Sequence, residues 1–455
     1  MRAKNFALTL VIFSLVLVAS ATAYASTRPE ALARAAVSEN PSESRAAIAE
    51  LRALGPAGLQ TLFAIHADEI KRNTGANTPA ASAKDNESWK RLSAALDAVS
   101  QQYDSAASGL YWYTDFEQAR TEARKQGKPI LSLRLLGNLS EEFSCANSRF
   151  FRTVLYSNPH IAKMLGERFI LHWKSVRPVP RVTIDYGDGR KLERTLTGNS
   201  IHYILDAEGR PLDALPGLYG PQAFMRELEQ AESVFKQLAT QTNAQRTETL
   251  RAFHQTRLDA ITQAWKADVQ KVGGKIPTEI VETEQIDGET PSARAAARRA
   301  MSKAVTEVSI INSITYEPRL LEAATDNATW NKIAALHSAD AKLDQASIAL
   351  MRRQTIKTLN AEGADTAAQA LAPDQLARLV QNFERYIALD TVRNEYLMHT
   401  KLHAWLTSLR YSNNLEGLNE RVYSELFLTP RNDPWLGLFS PDTYTALENS
   451  GVKSN

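Results

Sequence analysis

Short β-prone runs alternate with helical segments between residues 109 and 240, and this alternation is the feature that most constrains the fold. Helices are predicted at 115–126, near 145, at 159–167 and from about 221. Strands are predicted at 129–136, 169–176, 181–186, 191–196, 201–205 and 212–215. This order is typical of a mainly parallel sheet covered by helices.

The flanking regions, residues 26–108 and 241–455, are predicted to be mainly α-helical because apolar residues recur there at helical spacing. The clearest helix starts at Pro373, a residue suited to the first helical position. The polar stretch 272–291 is predicted to be a loop or linker. The predicted fold class is therefore an α/β central domain flanked by mainly α-helical N- and C-terminal regions.

A β-hairpin is predicted where strands 181–186 and 191–196 are joined by Gly187-Asp188-Gly189. Aspartates beside glycines also suggest a calcium-binding loop, but the full pattern of such a loop, with its terminal glutamate, is missing. A tight hairpin is the favoured interpretation.

Residues 1–25 are predicted to be a cleavable signal peptide. Arg2 and Lys4 precede an apolar run, and Ala23-Tyr24-Ala25 places small residues at the cleavage position, with Ala25 last. The run from Phe6 to Val18 is shorter than the roughly 20 residues that cross a bilayer as a helix. The mature protein is expected to be periplasmic or secreted, with no transmembrane segment.

The mature chain is expected to carry no net charge. Removing Arg2 and Lys4 leaves 51 basic residues against 51 acidic ones. Since no basic stripe is present either, nucleic acids and charged membrane surfaces are not expected partners.

A family resemblance rests on the central segment. Phe116-Glu117-Gln118-Ala119 precedes Lys125-Gln126-Gly127-Lys128-Pro129-Ile130-Leu131, then Cys145 starts a helix, and Asp206 and Gly209 form a later turn. Together these features resemble exported thioredoxin-like domains over about residues 110–240. The resemblance implies that strand 129–136 lies between strands 169–176 and 201–205.

Two hallmarks of that family are missing. Its Cys-x-x-Cys needs a second thiol to resolve the mixed disulfide, but this chain has Cys145-Ala146-Asn147-Ser148. Its cis-proline position is occupied by Ile201. Cys145 and Ser148 remain the candidate catalytic residues, for a one-cysteine exchange or isomerase reaction.

Cys145 is the only cysteine, so the chain can form no internal disulfide. The first turn of a helix favours a thiolate, and Arg149 and Arg152 would add to this effect. The alternative is a small, buried, apolar residue packed among phenylalanines. Exposure of the thiol separates the two interpretations.

Polar residues at alternate positions of the predicted central strands suggest a second site. If the strands are neighbours as the resemblance implies, Arg134, His172 and His202 converge on a pocket for a small molecule or anion. The alternative is a set of structural hydrogen bonds.

No metal or cofactor site is expected. His399 and His403 lie four residues apart, but the glutamate of a zinc protease is missing between them. His254 and His337 stand alone in the sequence, as do the remaining histidines.

The favoured functional hypothesis is a binding or assembly role with a protein partner. Thiol–disulfide exchange through Cys145 and small-molecule or anion binding are the alternatives. Fold alone does not decide among them.

Overall fold

The computed structural model describes residues 28–75, 83–196, 198–275, 327–361, 373–408, 410 and 412–434. The predicted signal peptide with Ala25, and residues 276–291 of the predicted polar loop, lie outside this part of the chain. The protein is mixed α/β, with a small mixed sheet and helical flanks. It divides into two compact units, one ending at Trp112 and one starting at Tyr113.

The first unit is helical. Its helices are α1 (28–35), α2 (Pro41–Ala53), α3 (Pro56–Ile65), α4 (Ala67–Thr74) and α5 (Ala83–Ser100). Their apolar faces share one core that includes Leu51, Leu59, Leu62, Leu92 and Leu96.

Helices α2 and α3 approach closely at Gly58, the third residue of α3. A Cβ atom at this position would overlap the carbonyl oxygen of Leu51 in α2. The packing of these two helices therefore depends on the absence of a side chain at residue 58.

The second unit is built on a four-stranded sheet. The strands are β1 (Ile130–Leu136), β2 (Ile170–Arg177), β5 (Ser200–Leu205) and β6 (Pro211–Pro216), in the order β2-β1-β5-β6. β1 pairs parallel with β2 and antiparallel with β5, and β5 pairs antiparallel with β6. The prediction of a mainly parallel sheet is therefore wrong, because the short turn between β5 and β6 joins neighbouring strands as an antiparallel pair. Every residue of β1, β5 and β6 is buried.

Strands β3 (Arg181–Asp185) and β4 (Lys191–Thr195) form a separate antiparallel pair, so the predicted hairpin is confirmed. The Asp185 carboxylate accepts a hydrogen bond from the Gly187 N–H at 2.9 Å. The Asp188 carboxylate accepts a hydrogen bond from the Arg190 N–H at 3.0 Å. Both carboxylates stabilise the turn. The hairpin leaves Ile184 and Tyr186 exposed.

Helices cover the sheet. Before and between the strands lie α6 (Phe116–Gln126), α7 (Ala146–Phe150) with a π-helical continuation (Phe151–Leu155), and α8 (Pro159–Arg168). After β6 come α9 (Pro221–Leu238), α10 (Asn243–Lys271), α11 (Asn327–Leu336), α12 (Gln345–Ala361) and α13 (Pro373–Arg393). Asp115 caps α6 by accepting a hydrogen bond from the Gln118 N–H, and Gly127 ends it in the left-handed conformation.

Helix α13 continues without a break through a π-helical turn (Asn394–His399) into α14 (Thr400–Thr407). α13 packs on α11, whereas α14 packs on α10. α15 (Leu415–Arg421) and a last π-helical turn (Val422–Leu426) follow. Within the described residues, we find no helix with the length and apolar character required to cross a membrane.

Candidate functional site

Cys145 is the N-cap residue of α7 and is fully buried. Its thiol contacts the Ser148 hydroxyl at 3.4 Å, and that hydroxyl also lies 2.7 Å from the Cys145 carbonyl oxygen and 2.7 Å from Ser144 Oγ. The predicted pair is thus adjacent, but a disulfide of another protein has no access to the sulfur atom in this structure.

The two arginines expected near this thiol bind elsewhere. The Arg152 guanidinium donates hydrogen bonds to the carbonyl oxygens of Leu139, Glu141 and Glu142. The Arg149 guanidinium donates one to the Thr195 hydroxyl at 3.0 Å. Both side chains therefore hold loops and strands in place, which supports the structural interpretation of this segment.

Arg134 and His172 lie on one face of the sheet, as their positions in the register of β1 and β2 require. His172 Nδ1 lies 2.8 Å from Ser132 Oγ. Arg134 and Lys174 both contact Glu416, at 3.1 and 3.2 Å. Burial lowers the pKa of His172 to about 3, and the charges of Arg134 and Lys174 add to this effect. His172 is thus neutral at physiological pH.

His202 lies on the opposite face, so the predicted convergence with Arg134 and His172 is wrong. The register pairs His202 with Leu133, the residue between Ser132 and Arg134, and successive side chains of a strand point to opposite faces. His202 Nε2 lies 2.7 Å from the Tyr156 hydroxyl. Burial lowers the pKa of His202 to about 3.

The face that carries His202 also carries Asp213. Asp213 pairs with Ile204, which is two residues beyond His202 on the same strand and therefore shares its face. Around Asp213 the structure assembles a buried polar cluster. Its members come from β6, α9, α10, the π-helical turn Asn394–His399 and α14: Asp213, Glu227, His254, Arg257, Glu395, His399 and His403. Arg257 and Glu395 are half-buried, and the other five are buried.

His399 lies between two carboxylates of the buried polar cluster. Its Nε2 is 3.1 Å from Asp213 Oδ1, and its Nδ1 is 3.2 Å from Glu395 Oε2. Burial alone would lower the pKa of His399, but these two carboxylates raise it to about 10. Burial likewise opposes ionisation of Asp213, yet the histidines around it hold its pKa below the usual range. The arrangement is a charged imidazolium bridging two carboxylates.

Arg257 ties the cluster to α9. Its guanidinium lies 2.5 Å from Glu227 Oε2 and 3.4 Å from Glu395 Oε1. Burial and the nearby Glu395 carboxylate raise the pKa of Glu227 to about 7, although His399 and Arg257 oppose this shift. Arg257 therefore balances the buried Glu227 carboxylate and the half-buried Glu395 carboxylate.

His254 and His403 form the other side of the cluster, with their Nδ1 atoms 3.0 Å apart. Burial lowers the pKa of His254 to about 4 and that of His403 well below its usual value, so both rings are neutral. Asp213 Oδ2 and His403 Nε2 have no hydrogen-bond partner among the described residues. An unpaired buried polar group costs about 1–3 kcal/mol of folding free energy, so two of them require an explanation.

The cluster offers the donor atoms of a metal site. Asp213, His254 and His403 each present a ligand atom within 4.8 Å of the others, and so do Glu227, Glu395 and His399. Sequence reasoning noticed the His399/His403 spacing but missed the cluster, because Asp213 and His254 come from distant segments. No periodicity in the sequence links these segments.

The chain matches no family model, no curated protein and no solved structure in the comparisons made.

Proposed function

We propose that this is an exported protein with a binding or assembly role, in which a thioredoxin-like domain serves as a scaffold and thiol chemistry is lost. The observation that carries this proposal is the complete burial of the Cys145 side chain beside Ser148, which cannot resolve a mixed disulfide. A thiol that reacts with protein disulfides must be accessible.

The thioredoxin-like assignment is supported by the neighbours of β1. The resemblance implied a strand flanked by 169–176 and 201–205, and β1 pairs with β2 on one side and β5 on the other. A helix that starts at the cysteine after β1 agrees with the same family. We therefore propose that the β2-β1-β5-β6 sheet with α6 to α9 forms this domain.

The C-terminal helices are part of the scaffold because they occupy both sheet faces. On one face, α15 contacts Arg134 through Glu416 and Tyr203 through Asn419. On the other, the π-helical turn contacts Asp213 through His399. With both faces covered, a partner must bind the outer surface.

The β3–β4 hairpin is the proposed contact element. Val182, Ile184 and Tyr186 lie at alternate positions, so they share one side of the ribbon. The Ile184 side chain is 37% exposed and that of Tyr186 is 55% exposed. An exposed apolar stripe flanked by charges such as Arg181 and Lys191 fits a protein surface better than a small polar ligand.

Thiol accessibility tests the loss of thiol chemistry. Native protein and protein in concentrated urea are treated with an aromatic disulfide reagent, and release of the coloured thiolate is followed. We expect the native thiol to react at least about 100-fold more slowly than the unfolded one, since reaction then requires opening of the structure. A native thiol that reacts as fast as the unfolded one would overturn the proposal.

Site-specific crosslinking tests the binding role. A photoactivatable amino acid replaces Ile184 in the producing cells, and the same amino acid at exposed Lys236 serves as the control. We expect one discrete crosslinked protein from position 184 only, still formed in a Cys145→Ser background. Equal crosslinking from both positions, or its loss in Cys145→Ser, contradicts the proposal.

Export is tested on the same cells. Mass spectrometry of the protein from the extracytoplasmic fraction is expected to show an N-terminus at Ser26. A full-length chain retained in the cytoplasm contradicts this part of the proposal.

A further inference from the structure

We propose that Asp213, His254 and His403 form a buried binding site for a divalent transition-metal ion, with Zn²⁺ the best match. This inference goes beyond the proposed binding role and does not depend on it. Two imidazoles and one carboxylate are donors that Zn²⁺ accepts, whereas Ca²⁺ and Mg²⁺ prefer oxygen donors only. The three side chains are buried, with no more than 1% of each exposed.

The distances suit one shared ion. Zn–N bonds are about 2.0–2.1 Å long, so two nitrogens on a tetrahedral ion are about 3.3 Å apart. His254 Nδ1 and His403 Nδ1 are 3.0 Å apart. The Asp213 oxygen completes a group whose ligand atoms all lie within 4.8 Å of one another. Small side-chain movements bring the three donors to bonding distance.

Unpartnered polar atoms supply the second argument. Asp213 Oδ1 receives a hydrogen bond from His399, but Oδ2 has no partner among the described residues. His403 Nε2 has none either, and His403 Nδ1 faces only another imidazole nitrogen. An ion bound by Asp213 Oδ2 and by the Nδ1 atom of each ring accounts for the unpartnered carboxylate oxygen and for the two imidazole nitrogens that face each other. One ring cannot give both nitrogens to the same ion, so His403 Nε2 is not a ligand.

A supporting shell is present around the ligands. His399 holds Asp213 by a hydrogen bond at 3.1 Å, and Glu395 orients His399 at 3.2 Å. Metal-binding side chains are commonly fixed by such partners. His399 and Glu395 are therefore positioning residues in this proposal, and they are not ligands.

The ion would join three elements that are far apart in the chain: β6, α10 and α14. A ligand that binds only the folded state stabilises that state. Three protein ligands leave one position of a tetrahedral ion for water, but burial keeps substrates away. We infer a structural role, in which the metal fastens the C-terminal helices to the sheet.

Metal analysis of the full chain tests the site. The protein is purified without affinity metals, stripped with a chelator and reloaded with one equivalent of Zn²⁺. We expect one zinc per chain after desalting and a melting temperature about 5 °C or more above that of the stripped protein. The same measurements are made on His254→Gln and on a control, His160→Gln, which changes an exposed histidine.

Zinc that is lost in His254→Gln and retained in His160→Gln supports the proposal. Absence of stoichiometric zinc from the reloaded wild type overturns it, as does unchanged zinc in a folded His254→Gln variant. If His254→Gln does not fold, the Co²⁺-loaded wild type decides. The intense visible bands of tetrahedral Co²⁺ support the site, and their absence overturns it.

Discussion

His254 Nδ1 and His403 Nδ1 lie 3.0 Å apart, although 149 residues separate the two histidines in the chain. Each ring is neutral because burial lowers its pKa, so the contact is between two polar but uncharged groups. The charges of the buried polar cluster lie beside this contact, on Asp213, Glu395, His399 and Arg257. The cluster thus separates into a neutral imidazole pair and a network of charges, which can be tested independently.

Arg257→Met is expected to reduce the free energy of unfolding by about 2 kcal/mol, because it removes the cation nearest to the buried Glu227 carboxylate. Arg226 remains 3.8 Å from Glu227, and His399 remains paired with Glu395. Adding Glu227→Gln to that variant is expected to restore part of the loss, since one of the two carboxylates is then neutral. Urea unfolding of the two single variants and the double variant gives the coupling energy. Strict additivity would show that the contact is energetically unimportant.

Arg134 is a buried cation whose partner Glu416 is mostly exposed: the Arg134 side chain is 1% exposed and that of Glu416 is 63% exposed. Glu416→Gln is expected to reduce stability by about 1 kcal/mol, since it leaves that cation without its counter-charge. In an Arg134→Met background the same change is expected to have a much smaller effect, since only the exposed Lys174–Glu416 pair remains to be lost. A loss of similar size in both backgrounds would contradict the pairing.

Anion binding at the Arg134 face is tested with the same variants. Glu416 already pairs with the Arg134 guanidinium, and His202 lies on the opposite face of the sheet from Arg134. We therefore expect that phosphate and sulfate raise the melting temperature of wild type and Arg134→Met equally. A rise confined to the wild type would restore the anion-binding hypothesis.

Asp268 is expected to make stability depend on acid pH. Its carboxylate lies 2.5 Å from His337 Nε2 and 2.7 Å from the Tyr396 hydroxyl. These two hydrogen bonds and one from Lys271 lower the pKa of Asp268, although burial alone would raise it. Because the folded-state pKa lies below the unfolded value of 3.8, this stabilisation is present above pH 3.8 and is lost as the pH falls.

Asp268→Asn is therefore expected to be less stable than the wild type at pH 7, with a smaller further loss between pH 5 and pH 3. Urea unfolding at each pH measures this, and Asp259→Asn, at an exposed position of the same helix, is the control. Equal pH dependence of wild type and Asp268→Asn would exclude the contribution.

Gly58→Ala is expected to reduce stability by about 2 kcal/mol, because the added methyl group would overlap the Leu51 carbonyl oxygen. Glycine-to-alanine changes in helices usually have the opposite sign, by up to about 1 kcal/mol. Thermal unfolding followed by circular dichroism is the measurement. Exposed Gln60→Ala in the same helix is expected to be neutral or stabilising. A more stable Gly58→Ala variant would refute the close helix contact.

Local chemistry explains why the strands and turns of the second unit were predictable. Strand patterns and turn residues such as Gly187-Asp188-Gly189 act over a few positions, so β1 to β6 lie within a residue or so of their predicted bounds. The side of a strand on which a residue lies depends on register, which a one-residue shift reverses. His202 was misplaced for this reason.

The buried polar cluster depends on tertiary packing, so the sequence contained only a fragment of it. The spacing of His399 and His403 was visible, and both side chains are buried. Asp213 and His254 reach them only because β6 and α10 pack against α14 and the turn before it. Likewise, the sequence allowed either a reactive or a hidden Cys145, and only the packing around α7 distinguishes them.

The π-helical turn at Asn394–His399 has a consequence for how the chain tolerates change in length. A π-helical turn accommodates one residue more than an α-helical turn, and each residue of an α-helix rotates the following chain by about 100°. Deleting one residue within this turn would leave an α-helical turn and keep α14 in its orientation. Deleting one residue between the turn and His403 would instead rotate His403 away from His254 by about 100°. In this continuous helix, the π-helical turn is therefore the place where the chain tolerates a change of one residue in length.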